Sequence, residues 1–181
     1  MFTKPSSPQR RRAGWTLPET MVSIGISGVL MVAVVGLSMT SGRAFLALSN
    51  YVDLDAKNKV AMDTLTRDLR ECNRVTACTT NSLSIQDSDG STISYTYNSS
   101  AQTFVRSKNG VSKTLLTQCA TMGISIAQRN PVGGSYDVYP TATPANAKVV
   151  NVSWNCFRTI LGLRANTESV QTARIVIRKQ G

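Results

Sequence analysis

Residues 20–42 contain no charged side chain and read TMVSIGISGVLMVAVVGLSMTSG. A run of this length can cross a bilayer as a helix, which takes about 20 residues. Three consecutive arginines, Arg10, Arg11 and Arg12, precede the run, and positive residues stay on the cytoplasmic side of a membrane. We therefore predict a single-pass membrane helix with its N-terminus in the cytoplasm and its C-terminal domain on the other side.

Three interpretations of this N-terminal region compete. A secretory signal peptide has a shorter apolar core and a small-residue cleavage site after it, whereas here the apolar stretch is longer and no convincing A-x-A follows. A plain single-pass anchor fits the hydropathy but gives no reason for Glu19 at the very start of the run. Because an unpaired carboxylate in hydrocarbon is costly, Glu19 is a functional candidate.

The third interpretation explains Glu19. Residues 13–22 read AGWTLPETMV and resemble the cleavage site of type IV prepilins, in which a Gly, an aromatic residue, Thr-Leu, a small residue or Pro, and Glu precede a long apolar run. The resemblance implies that a prepilin peptidase cuts between Gly14 and Trp15 and methylates the new amine. Trp15 replaces the usual Phe but stays aromatic. Pro18 falls in the first helical turn, where its missing N–H breaks no helical bond.

The resemblance also implies that Glu19 acts in assembly. In pilin-like filaments the glutamate is expected to meet the amine of a neighbouring subunit, so Glu19 would set the register between subunits. The implied partners are other pilins or pseudopilins, the prepilin peptidase and an inner-membrane assembly platform. The implied location is the bacterial inner membrane, with the C-terminal domain in the periplasm, and then the filament.

Beyond Gly42 the sequence continues as a helix, because no proline interrupts it and apolar residues recur at helical spacing. Met62, Leu65 and Leu69 are the residues expected to dock on a domain. We predict an α+β, pilin-like fold, with a long N-terminal helix packed on an antiparallel β-sheet domain. Its segments are a cleaved leader (1–14), a transmembrane half-helix (15–42), an amphipathic half-helix (43–76) and a β-rich domain (77–181).

The β-rich domain is predicted from short alternating runs separated by turn signals. Asp89-Gly90, Asn109-Gly110 and Gly133-Gly134 are the turn signals, and residues 130–147 are expected to form a surface loop. The strands are expected to form one antiparallel meander. The predicted strands are Ser82–Gln86, Thr92–Asn98, Thr103–Ser107, Leu115–Leu116, Gly123–Arg129, Lys148–Asn155 and Ala173–Arg178.

The end of the predicted helix carries a second resemblance. Residues 65–71 read LTRDLRE and are similar to the helix end of J-class minor pseudopilins of type II secretion and of related minor pilins. The residues leave secretion, pilus and DNA-uptake systems open, as well as a position at the tip or in the shaft.

Four cysteines, Cys72, Cys78, Cys119 and Cys156, allow three disulfide pairings. Cys72 and Cys78 lie close together in sequence, so a local bridge would fasten the helix end to the first loop. Cys119 and Cys156 would then join two parts of the sheet. None of the four forms a CxxC pair, which argues against a four-cysteine zinc site.

Charge and composition limit the other function classes. The formal net charge is +10, but four of the positive charges precede Gly14, which leaves +6 after cleavage. No run interleaves basic and aromatic residues, so nucleic-acid binding is not expected; a filament-displayed adhesion or DNA-uptake module remains the alternative function. The chain has no histidine and shows no phosphate-binding loop, so we predict neither catalysis nor a cofactor or metal. Asp87-Ser88-Asp89-Gly90 resembles the start of a calcium loop, but an acidic closing ligand is missing.

Overall fold

The computed structural model describes residues 14–129, 139–160, 162 and 168–178. The chain divides into two compact units, Met1–Ala44 and Phe45–Gly181. In the first, residues 17–44 are entirely helical; in the second, a helical segment and eight strands surround one hydrophobic core. The α+β class predicted from the sequence is confirmed.

One α-helix, α1 (Leu17–Glu71), contributes residues to both units. It starts after Thr16, whose carbonyl accepts the N–H of Thr20 at 3.2 Å, and Pro18 occupies the first turn as expected. The helix ends at Glu71, so the predicted end near Thr76 is wrong. The cause is an unpredicted strand, β1, which begins at Arg74.

Five strands form the first sheet in the order β1-β2-β3-β4-β5, with every neighbouring pair antiparallel. The β4–β5 turn places Asn109 and Gly110 at φ 52° and 79°, as the predicted two-residue Asn-Gly hairpin requires. The strands are β1 (Arg74–Thr79), β2 (Ser82–Gln86), β3 (Thr92–Asn98), β4 (Thr103–Lys108) and β5 (Val111–Leu116). The predicted bounds of β2 and β3 are confirmed.

A second, three-stranded antiparallel sheet has the order β6-β7-β8, so the prediction of one continuous meander is wrong. Its strands are β6 (Cys119–Ala127), β7 (Val149–Phe157) and β8 (Glu168–Val176). Before β7 a short 3-10 helix spans Pro144–Asn146, with Pro in its first turn. Residues 130–138 of the predicted surface loop, which include the Gly133-Gly134 turn, lie outside the described residues.

The core of the second unit lies between the helix and the two sheets. Both sheets contribute aromatic rings: Phe104 stacks on Tyr95 with ring centroids 5.6 Å apart and lies 6.1 Å from Trp154. The buried apolar residues from the helix are Leu54, Ala61, Leu65 and Leu69. Leu65 and Leu69 therefore dock as predicted, whereas Met62 lies at the margin, only partly buried.

Candidate functional site

The residues around the predicted cleavage site are exposed in the first unit. Gly14, Trp15 and Thr16 precede the helix, and Trp15 is 70% exposed. A Cβ placed on Gly14 would meet no atom within 4 Å. The chain's own packing therefore does not require glycine at position 14. Arg10, Arg11 and Arg12 of the leader lie outside the described residues.

Glu19 lies in the first turn of the helix. Its Oε2 is 3.5 Å from the backbone N–H of Thr16, which is the direction in which the third residue of a capping box reaches back to the N-cap. The side chain thus has a local role as a weak cap, which the sequence reasoning did not consider. Glutamine can make the same contact without the charge, so the two roles can be separated.

The apolar run that follows Glu19 is uncovered. One helix is long and apolar enough to span a membrane, and none of the apolar window is buried by the chain itself. The 23 residues of Thr20–Gly42 rise about 34 Å as a helix, which matches a hydrocarbon core about 30 Å thick. So large an apolar surface marks contact with lipid or with another protein.

Hydroxyl groups in this run are bonded to the helix backbone. Thr20 donates to the carbonyl of Leu17 at 2.7 Å, Ser23 to that of Glu19 at 2.8 Å, and Thr40 to that of Gly36 at 3.0 Å. Such back-bonding satisfies polar groups where water is excluded. The three side chains are therefore compatible with an apolar environment.

The second half of the helix, in the second unit, attaches to the sheets through buried polar residues that the sequence reasoning missed. Asn58, 1% exposed, accepts the indole N–H of Trp154 at 2.9 Å and donates to Ser169 at 3.0 Å. Both partners belong to the β6–β8 sheet. A buried amide is tolerated because its hydrogen bonds are made, so Asn58 fixes this helix segment against that sheet.

Asp68 makes the corresponding attachment to the five-stranded sheet. It is 5% exposed, accepts the hydroxyl of Tyr95 at 2.5 Å and lies 2.6 Å from the guanidinium of Arg106. Burial and the hydrogen bond to Asp68 raise the pKa of Tyr95 well above its ordinary value. The hydrogen bond to Asp68 also raises the pKa of Arg106. The LTRDLRE segment therefore ends the helix with its central carboxylate turned inward.

A third contact lies nearer the start of this helix segment. Arg158 donates to the carboxylate of Asp53 at 3.0 Å and to the carbonyl of Thr117 at 3.1 Å. Lys57 lies 3.0 Å from the same carboxylate, and its hydrogen bond is the main cause that lowers the pKa of Asp53. Asp53 thus joins the helix to the segment after β7.

Cys119 and Cys156 lie side by side. They are directly opposite in the β6–β7 register, and their sulfurs are 3.1 Å apart. The neighbouring pair, Gln118 and Phe157, carries the ladder hydrogen bond, so Cys119 and Cys156 form a non-hydrogen-bonded pair with Cα atoms about 4.5 Å apart. That separation suits a disulfide. A hydrogen bond from the Cys119 thiol lowers the pKa of Cys156, whereas the same hydrogen bond, burial and the adjacent Cys156 thiolate raise the pKa of Cys119.

The other two cysteines lie at the helix end and on β1. The Cys72 sulfur is 3.3 Å from the carbonyl of Leu69, and burial raises the pKa of the half-buried Cys78. Residues 74–78 run along the extended strand for about 13 Å, whereas a disulfide needs Cα atoms within about 7 Å. The strand therefore opposes the local Cys72–Cys78 pairing. No disulfide bond is formed among the described residues, and both pairings stay predictions.

The calcium-like segment is occupied by a lysine. The ammonium of Lys108 lies 2.5 Å from Asp87 and 2.9 Å from Asp89. Its hydrogen bond is the main cause that lowers the pKa of Asp87; for Asp89, the hydrogen bond from Ser91 lowers the pKa most. Within the described ranges, no group of three or more Cys, Asp or Glu side chains is arranged to hold a metal ion.

Comparisons with protein-family models, with curated proteins and with solved structures found no match to this chain.

Proposed function

We propose that the chain is a structural subunit of a type IV pilus or of a type II secretion pseudopilus. It is inserted in the inner membrane, processed after Gly14 and assembled into a filament through its N-terminal helix. One observation carries the proposal: an uncovered apolar helix, preceded by exposed Gly14 and Trp15 and with Glu19 in its first turn, continues into the core helix of an α+β unit.

Glu19 and the new N-terminus supply the chemistry of assembly. After cleavage Trp15 carries a cationic amine one helical turn from the Glu19 carboxylate. Each charge alone is unfavourable near the membrane interior, and together they offset much of that penalty. Pairing Glu19 with the amine of a neighbouring subunit would therefore fix the register of packed helices.

Glycine positions in the apolar run support close helix packing. A Cβ on Gly25, Gly28 or Gly36 would meet no atom within 4 Å, so the fold of the single chain does not explain these glycines. Small residues let membrane helices approach one another closely. The interpretation as a subunit gives these positions a role that a plain anchor lacks.

Mass spectrometry of the N-terminus tests the proposal. The full chain, produced in bacteria that contain a prepilin peptidase, should begin with methylated Trp15, whereas a Gly14→Val variant should remain uncut. Gly42→Val is the matched control, because Gly42 also has open space around it but lies far from the cut, and it should be processed. An intact Met1 start in the unaltered chain would rule the proposal out.

A further inference from the structure

Two adjoining cavities of about 410 and 490 Å³ lie along β8 in the second unit. Both are lined by Arg129, Val176 and Arg178. The second cavity extends to the helix, where Arg70 and Thr66 line it, and includes the outer end of β8 from Ala173 onwards. The first cavity lies across the end of the sheet, where Gln128, Lys148 and Ile177 line it, and the second continues along β8 toward the helix, so the two form one groove.

The second cavity follows the β8 edge of the three-stranded sheet, which is unpaired among the described residues. β8 pairs only with β7 in the three-stranded sheet of the described residues. The backbone N–H of Ile177 donates to the carbonyl of Lys148 at 2.8 Å. Residues separated from Ile177 by an even number of positions therefore point their backbone groups toward β7. Because these directions alternate along a strand, the N–H and C=O groups of Thr172 and Val176 point away from the sheet. Such an edge can pair with another extended chain.

Positive charge lines the groove. Arg174, Arg178, Arg129 and Arg70 come from the strand, its continuation, the end of β6 and the helix, and the described residues lining the two cavities include no Asp or Glu. Arg174 is held in place by Asn151 at 3.1 Å and lies over the ring of Tyr139 at 5.2 Å. Arg174 is thus already engaged over β7, and Arg129 and Arg178, which line both cavities, are the groups proposed to bind a carboxylate.

We propose that the β8 edge binds an extended acidic segment of a partner protein as an added antiparallel strand. Carboxylates on one face of the segment would meet Arg129 and Arg178, which line both cavities. The alternate side chains of the segment would lie toward the apolar Ala173 and Ile175. The proposal concerns a different surface from the N-terminal helix and does not depend on cleavage or filament assembly.

The lining favours a peptide over a nucleic acid. A groove for single-stranded nucleic acid combines positive charge with aromatic rings on which bases stack, whereas the described lining residues are basic, neutral polar and aliphatic, with no aromatic ring among them. A free strand edge offers alternating donors and acceptors that match a peptide backbone. Charge and backbone therefore point to the same kind of ligand.

Fluorescence anisotropy tests the proposal on the full chain in a neutral maltoside detergent. The probe is a dye-labelled heptapeptide of alternating Glu and Val, and its control carries Lys in place of Glu. We expect the acidic peptide alone to bind at about 50 mM salt. The variant R129Q/R178Q should weaken binding about tenfold or more. R74Q/K113Q removes the same charge from exposed positions of the other sheet and should change the affinity less than about twofold.

A second variant isolates the backbone contribution. Val176→Pro removes an outward N–H, which an edge strand tolerates, so urea unfolding should still be cooperative while peptide binding is lost. Unchanged binding by this variant would show that no strand is added. Three results would each overturn the proposal. They are equal losses of peptide affinity in R129Q/R178Q and in the control variant, no binding of the acidic peptide, and equally tight binding of a twelve-nucleotide oligothymidylate.

Discussion

The two halves of α1 show one secondary structure suited to two different environments. In residues 17–44 all the large apolar side chains are exposed to solvent; Leu30, for example, is 60% exposed. In residues 45–71, one face carries Leu65 at 0% exposure together with buried Asn58 and Asp68. Polar side chains of the first half such as Thr20 and Ser23 bond to their own helix, whereas buried polar side chains of the second half bond to the two sheets.

The largest effect is expected at Asp68. Asp68→Ala leaves the guanidinium of Arg106 and the hydroxyl of Tyr95 without their acceptor, and breaking a buried pair costs about 3–5 kcal/mol. Urea unfolding followed by the fluorescence of Trp154, in a Trp15→Phe background, measures the loss. Asp63→Ala, at an exposed position of the same helix, should change stability by less than about 0.5 kcal/mol. Equal losses in the two variants would contradict the attachment assigned to Asp68.

Substituting one leucine in each half of α1 tests the contrast between the two halves directly. Leu65→Ala should destabilise the domain by about 2–5 kcal/mol, because it leaves a cavity in the core. Leu30→Ala should leave the unfolding midpoint of the same Trp154 signal unchanged, because that side chain is exposed and its removal leaves no cavity. If both variants lower the midpoint, residues 17–44 support the fold of the domain and the contrast between the halves fails.

The cysteine pair tests how firmly β6 and β7 are held together. In an oxidising compartment a Cys119–Cys156 bridge should form, and C119S/C156S should then lose about 2–4 kcal/mol of stability relative to the oxidised protein. Cys78→Ser is the control and should have a smaller effect. A non-reducing peptide map identifies the bridge directly. Cys72 joined to either distant cysteine would contradict this pairing.

Glu19 is expected to have a smaller effect, limited to assembly. Glu19→Gln keeps a capping contact but removes the charge, so any loss of incorporation into filaments reports the pairing with the amine. A loss of about 2 kcal/mol lowers incorporation roughly thirtyfold. Glu19→Ala removes cap and charge together and should add little.

Processing provides the control for Glu19. Under the proposed processing, both variants should still begin with methylated Trp15, because the peptidase is expected to recognise chiefly Gly14 and the adjacent apolar run. Quantitative immunoblotting of sheared filaments measures incorporation. If Glu19→Gln enters filaments at the unaltered level, the pairing role is wrong for a shaft subunit.

The smallest effect concerns Lys108 and has a defined pH dependence. The pKa values of Asp87 and Asp89 are lowered in the folded protein, so their contribution to stability is present above about pH 4 and is lost as the pH falls through the folded values. The stability difference between the unaltered chain and Lys108→Gln should therefore shrink below about pH 4. Lys113→Gln, on the adjacent strand, should show no such trend.

Local patterns predicted the elements whose signals lie within a few residues. β2 and β3 were predicted with the correct bounds, because their side chains alternate without interruption and Asp89-Gly90 separates them. β1 was missed because its register shifts between Val75 and Ala77, and such an irregularity removes the period of two. The helix end was placed too late because no glycine or proline marks it.

The attachment residues could not be predicted, because their partners are distant in sequence. Asn58 and Asp68 share the stripe of Leu54, Ala61 and Leu65, and that position was the available signal that they are buried. Their hydrogen-bond partners, Trp154 and Tyr95, come close to them only in the folded sheets, so the sequence alone does not identify them. By contrast, Gly14, Trp15 and Glu19 form a continuous motif that needs no tertiary contact.

The hydrogen bonds of Asn58 have a consequence for the order in which the protein folds. Asn58 is separated by 96 residues from Trp154 and by 111 from Ser169, so a residue made early is held by residues made late. Contacts this far apart in sequence slow folding and leave apolar surface uncovered meanwhile. The core-facing side chains of the helix therefore leave the ribosome early and stay unpacked until nearly the whole chain has been synthesised. That interval is when the newly made protein most needs protection by chaperones.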